Sequence, residues 1–263
     1  MSNVRRPMFP HEDSLVPIFL WRREREHPEQ VGTGIYLRML HQAYLLTAGH
    51  VADLRSEGSL CIPSTEGISP VEGGIGGNVI GANEDRRDDK FDVAYIRLSS
   101  DIDALAHPTF IPLPRQSIDP GGYVLPGDFC SVGGYPITQA DRTETAYRSS
   151  AYSYVGMAAE HEEYTRLGYD PAVHLVVKYR MKKGIFPEGD RTNPPHPRGL
   201  SGGGIFRLHP DFLHAREHAP RLLVGSMHTY LKRENCFVGT RTPGHLRLIE
   251  QRFPEEVYAF ADA

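Results

Sequence analysis

Cysteine is scarce: Cys61, Cys130 and Cys236 are the only three in 263 residues, far apart and odd in number. Secreted chains of this size usually carry several paired cysteines, so the pattern favours a reducing compartment. No C-x-x-C pair occurs, so no structural zinc site is expected, and no metal or other cofactor. Long apolar runs are missing too, since none approaches the roughly 20 residues of a membrane span. The nearest, Leu15 to Trp21, is short, contains Pro17 and runs into Arg22-Arg23-Glu24-Arg25-Glu26. Met1 to Asp13 lacks the apolar core of a signal peptide, so a cytoplasmic location is expected. Positive charge is not in excess. The formal net charge of -4 argues against nucleic acid or an anionic membrane as partner. The run Gly73-Gly74-Ile75-Gly76-Gly77 is no phosphate loop, because neither a lysine-serine pair nor a helix follows it; it reads as a flexible hairpin. There is no βαβ alternation and no repeat of fixed period.

Glycine (26) and proline (21) are plentiful, while 40% hydrophobic and 24% charged residues are ordinary for a globular chain. Short apolar, β-branched stretches recur between turn residues, and about a dozen read as strands. Among them are 31–40, 44–48, 91–98, 128–136, 174–181, 221–228 and 236–240. Residues 161–167 read as locally helical. Residues 111–122, with three prolines and two glycines, read as a linker between two lobes. Leu246, Ile249 and Phe253 recur at spacings of three and four, which predicts a terminal helix with Thr242 as N-cap and Pro243 at N1. The expected class is all-β.

The most informative stretch is Pro197-Arg198-Gly199-Leu200-Ser201-Gly202-Gly203-Gly204-Ile205-Phe206. Glycines on both sides of a serine permit sharp turns and close approach of backbone to a ligand. Gly199-Leu200-Ser201-Gly202-Gly203 also satisfies the G-x-S-x-G elbow of the α/β-hydrolases. That elbow needs a helix directly after the serine, and each interior glycine costs a helix roughly 1 kcal/mol. Three glycines followed by Ile205-Phe206-Arg207-Leu208 read instead as a turn into a strand.

Two upstream stretches complete a constellation in the order His, Asp, Ser: Leu46-Thr47-Ala48-Gly49-His50-Val51 and Phe91-Asp92-Val93-Ala94-Tyr95-Ile96-Arg97-Leu98. With Gly32-Thr33-Gly34-Ile35, Gly134-Tyr135-Pro136 and Leu223-Val224-Gly225, the chain resembles, over nearly its whole length, the chymotrypsin-like (trypsin-like) serine peptidases, and among them the bacterial intracellular type. The resemblance implies two six-stranded β-barrels with a C-terminal helix: residues 14–115 supplying His50 and Asp92, and residues 120–263 supplying Ser201 and the helix. It implies a serine endopeptidase that works through an acyl-enzyme. Ser201 is then the nucleophile, His50 the base, Asp92 the residue that orients and stabilises the imidazole, and the Gly199 and Ser201 amides the oxyanion hole.

Departures from the family narrow these expectations. Leu200 replaces the aspartate that precedes the serine in digestive members, which removes their zymogen switch. Pro195, six residues before Ser201, stands where trypsin has its pocket-base aspartate, so a preference for basic residues is unsupported. The pocket wall is expected from Gly225 to Tyr230. Viral proteases and glutamyl endopeptidases carry Gly-x-His there, but His228 comes one residue later. One residue reverses the face of a strand. Either a bulge returns His228 to the pocket, or Met227 faces it and the pocket is apolar.

Several polar residues read as surface groups: His41 in a hairpin, Asp88 and Asp89 in a charged loop, and His209, His214 and His218 with Asp211 and Glu217 in a loop of no recognisable metal spacing. The expected partners are a protein or peptide substrate and a regulatory protein, with narrow specificity and, by analogy, a stress or antiviral defence setting. The rival readings are a catalytically idle module that binds peptides or partners, and an esterase using the same triad.

Overall fold

A computed structural model describes residues 12–40, 42–81, 85–100, 109–142, 147–179, 194–210 and 221–261. His41, His214 and His218 lie outside the described residues, as does most of the polar run ahead of Pro197. The first half is one antiparallel sheet of seven strands: β1 (Leu15–Trp21), β2 (Glu29–Met39), β3 (Gln42–Thr47), β4 (Ser59–Ser64), β5 (Gly67–Pro70), β6 (Gly73–Gly77) and β7 (Ala94–Leu98). Their order is β5-β4-β1-β2-β3-β7-β6, a half-barrel rather than the closed six-stranded barrel expected. Gly73–Gly77, read from sequence as a flexible hairpin, is edge strand β6, paired residue for residue with β7. Gly76 has a packing reason: a Cβ there would collide with the ring of Tyr95, the residue opposite.

The second half is a closed barrel. It is built from β8 (Phe129–Gly134), β11 (Tyr152–Ala158), β12 (His174–Lys178), β13 (Gly204–Leu208), β14 (Arg221–Leu231) and β15 (Cys236–Arg241), in the order β11-β12-β15-β14-β13-β8. A small two-stranded ribbon, β9 (Ala140–Arg142) and β10 (Tyr147–Ser149), projects after β8.

Strands β1 to β3 are buried on both faces, which is why they read as continuous apolar runs rather than as alternating ones. Successive side chains serve different cores. Ile35, Leu37, Met39, Tyr44 and Leu46 join Tyr135, Phe206 and Leu223 of the barrel in a core between the halves. Tyr36, Ala43 and Leu45 turn the other way, onto Val16, Ile18 and Ile96. The linker is strapped to both halves: Leu113 N–H donates to the Tyr36 carbonyl at 2.8 Å, and Asp119 N–H to that of Leu223 at 2.9 Å.

Besides α1 (Gly49–Asp53), the α-helices with full bounds among the described residues are α2 (His161–Leu167), α3 (Thr242–Glu250) and α4 (Pro254–Ala261). The expected single terminal helix is thus two, because Pro254 has no N–H to continue the first. Arg241, not Thr242, is the N-cap, and no side chain caps the end. Thr242 Oγ1 instead reaches the Leu223 carbonyl at 3.4 Å. Helix α4 returns to the first half, where Glu256 accepts from the Tyr44 hydroxyl and pairs with Arg97 at 3.5 Å. All three cysteines are buried and unpaired. No helix among the described residues is long and apolar enough to cross a membrane.

Candidate active site

His50 lies outside the sheet. Strand β3 ends at Thr47, extended Ala48 begins the one-turn helix α1, and His50 is its second residue, its side chain 39% exposed. Asp92 lies just ahead of β7 and is buried. Both of its carboxylate oxygens serve His50: Oδ1 accepts from the His50 main-chain N–H at 2.8 Å, and Oδ2 lies 2.6 Å from ring Nδ1. Because a carboxylate oxygen only accepts, Nδ1 carries a hydrogen, and in the neutral ring the lone pair is then on Nε2. Gly49 makes the contact possible, since a Cβ there would sit 2.9 Å from Asp92 Oδ1.

Asp92 is held at a φ of 33°, a left-handed conformation that costs a non-glycine residue about 1–3 kcal/mol. The surrounding loop fixes it. Asp89 accepts from the main-chain N–H groups of Phe91 at 3.0 Å and Asp92 at 3.1 Å. It also accepts from Asn78 Nδ2 and Arg86 Nη1, both at 2.7 Å. Sequence reasoning left Asp89 solvated; the structure makes it the hub of the loop that presents Asp92. Burial raises its pKa, but the bonds from Asn78, Arg86 and the two amides outweigh that and hold it below the usual carboxylate value. Asp88 is exposed, as expected, and so is His209.

Ser201 rides a turn whose backbone is committed almost residue by residue. Leu200 N–H donates to the Pro197 carbonyl at 3.1 Å, Gly203 N–H to that of Leu200 at 2.7 Å, and Gly202 N–H to that of Met227 at 2.7 Å. The turn needs left-handed residues, and Gly199 (φ 98°) and Gly202 (φ 87°) supply them. Between these bonds, the N–H groups of Gly199 and Ser201 have no protein acceptor among the described residues. Two uncommitted donors two residues apart beside a serine are what a developing oxyanion requires.

The turn is clamped to the first half through Thr33, a fully buried residue whose part sequence reasoning missed. Its N–H donates to the Ser201 carbonyl at 2.8 Å and its hydroxyl to the Gly199 carbonyl at 2.9 Å. The same hydroxyl accepts from Tyr135 N–H at 2.9 Å. Gly32, next to Thr33, sits between the Ser201 carbonyl and Val51, the residue after His50. A Cβ on Gly32 would be 2.8 Å from the Val51 side chain and 3.1 Å from the Ser201 carbonyl. The hydroxyl of Ser201 donates to the His228 carbonyl at 3.3 Å.

The two pocket candidates on β14 fall at an irregularity. Met227 pairs with Gly239 and Thr229 with Val238, so His228 is the extra residue of a β-bulge. Met227 is buried in the barrel core beside Leu200. His228 is buried as well, with Nδ1 2.9 Å from Thr229 Oγ1 and Nε2 unpartnered among the described residues. Burial pushes its pKa down to about 4 against the pull of Asp92, and the nearby His174 and His50 add to the depression. Pro195 is half-buried, its carbonyl accepting from the Tyr154 hydroxyl at 2.6 Å. Among the described residues, no group of three or more His, Cys, Asp or Glu is arranged to hold a metal ion.

No family model and no curated sequence matches the chain. Its backbone does have a counterpart among solved structures: neuropsin, a serine protease expressed in the limbic system of mouse brain. The TM-score is 0.55 over 92% of this chain and 95% of that one, at 13% identity. The fold is chymotrypsin-like. In this chymotrypsin-like frame His50 and Asp92 belong to the first half, Ser201 belongs to the second, and Thr33 joins the two.

Proposed function

We propose that this protein is a serine endopeptidase with Ser201 as nucleophile, His50 as general base and Asp92 as the residue that orients it. One observation carries the reading. A buried carboxylate engages both the main chain and the ring Nδ1 of His50, which directs Nε2 of the neutral ring to act as the acceptor. A serine hydroxyl is a weak nucleophile unless a base takes its proton. In the proposed reaction Nε2 accepts that proton as Oγ attacks the peptide carbonyl, and Asp92 stabilises the resulting imidazolium. The Gly199 and Ser201 amides receive the oxyanion. The imidazolium then protonates the leaving amine, and water enters by the same route to release the acyl group. The three buried, unpaired cysteines support a reducing, cytoplasmic setting, where narrow specificity or a regulatory protein partner would restrain such an enzyme.

A second reading rests on the Ser201 hydroxyl, which donates to the His228 carbonyl. A serine parked there describes an idle peptide- or partner-binding module, or an enzyme awaiting a signal. A fluorophosphonate probe separates the readings, because an activated serine oxygen displaces fluoride from phosphorus. Covalent labelling of the wild type, and none of Ser201→Ala, is expected at neutral pH. An unlabelled wild type supports the idle module.

A further inference from the structure

We infer that Ser201 attacks the carbonyl only of residues with very small side chains, namely glycine, alanine or serine, because aromatic rings fill the space where a larger side chain would go. The inference rests on the endopeptidase reading and adds the substrate class.

A scissile carbonyl whose oxygen lies on the Gly199 and Ser201 amides must place its residue's side chain beside the turn. Two stretches of backbone bound that region. One is the run from Pro195 to Leu200; the other is β14 beyond His228, whose carbonyl already touches the Ser201 hydroxyl. Rings bridge the gap between them. Tyr230 lies edge-on to His196, with centroids 6.3 Å apart, and Tyr154 bonds the Pro195 carbonyl through its hydroxyl.

Phe237 stands opposite Tyr230 in the ladder, its ring 5.1 Å away and tilted 35°. Behind it, Tyr154 and Tyr179 lie 5.2 and 5.6 Å from the same ring. Leu200, adjacent to the nucleophile and wholly buried, belongs to this cluster, as does Met227. Rings at such spacings are in contact, and interiors are packed to crystal-like density, so among the described residues these rings leave no space between them for a further one. A lysine or arginine side chain would, in addition, bury an unpaired charge against tyrosine and phenylalanine. Tyr230 is half-buried and so is the ring nearer solvent, whereas Phe237 is buried.

The test is a series of diphenyl aminoalkylphosphonates bearing the alanine, leucine, phenylalanine or lysine side chain. Each is attacked by Ser201 with loss of phenoxide, and labelling is followed by intact mass. The alanine ester is expected to label the wild type at least tenfold faster than the phenylalanine or lysine ester. Tyr230→Ala should narrow the gap between alanine and phenylalanine by tenfold or more. The wild-type series decides the matter even if that variant does not fold. Equal or faster labelling by the phenylalanine ester, or no labelling by any of the four, overturns the inference when a fluorophosphonate still labels Ser201. If the fluorophosphonate itself fails, the endopeptidase reading falls and this inference falls with it.

Discussion

The first half of the molecule carries its two candidate residues outside its strands, on a one-turn helix and in the loop before β7. The closed barrel carries Ser201 in a turn anchored directly to β14. The open sheet compensates for this looser placement with side chains: Asp89, Asn78 and Arg86 brace Asp92, and Asp92 braces His50. The barrel needs few side chains because glycine backbone makes its bonds. A polar network and a glycine turn are thus two ways of fixing a residue, and they should fail differently.

The sharpest break is Gly202→Ala. The new methyl would collide with the Thr33 carbonyl and the Thr47 hydroxyl at a residue whose φ is already left-handed. We expect a loss of several kcal/mol in chemical unfolding, with labelling of Ser201 abolished in whatever protein folds.

Acid should act mainly on the second half. Burial pushes His228 and His245 each down to about 4, and His174 is lowered in the same direction and for the same first cause. Below the ordinary histidine value near 6.5 the unfolded chain binds protons that the folded chain refuses. This contribution is therefore complete above that value and is lost as pH falls towards 4. Each of the first two histidines withdraws up to about 3 kcal/mol over that window. Urea midpoints should fall steadily from pH 7 to 5, and a flat profile would remove these imidazoles from the account.

The joint between the halves offers a finer test. Thr33→Val keeps the shape but leaves the Gly199 carbonyl and the Tyr135 N–H without a partner. A loss of about 1–3 kcal/mol is expected. The labelling rate of Ser201 should fall with it if Thr33 sets the Gly199 amide, whereas a stability loss with an unchanged rate would make the clamp purely structural.

The contrast between the halves also explains what could be read from the chain. The glycines around Ser201, the histidine that follows one short apolar stretch and the aspartate that precedes another are local patterns, and the all-β class follows from strand-length runs between turns. Strand β6 was not legible, because Gly73–Gly77 has almost no side chains to announce a strand and takes its order from pairing with β7. Asp89 looked solvated because Asn78, one of its partners, is eleven residues away and across a loop. Thr33 looked like one more small strand residue, and only contacts to Gly199 and Ser201 reveal the clamp. Pro254 could have announced the break between α3 and α4 on its own chemistry.

The central claim is that His50, placed by Asp92, activates Ser201. It is tested most directly by the rate of fluorophosphonate labelling in His50→Ala, compared with the wild type at neutral pH and equal folded concentration. The account predicts a rate lower by a factor on the order of 10³ or more. Equal rates in the two proteins would contradict it.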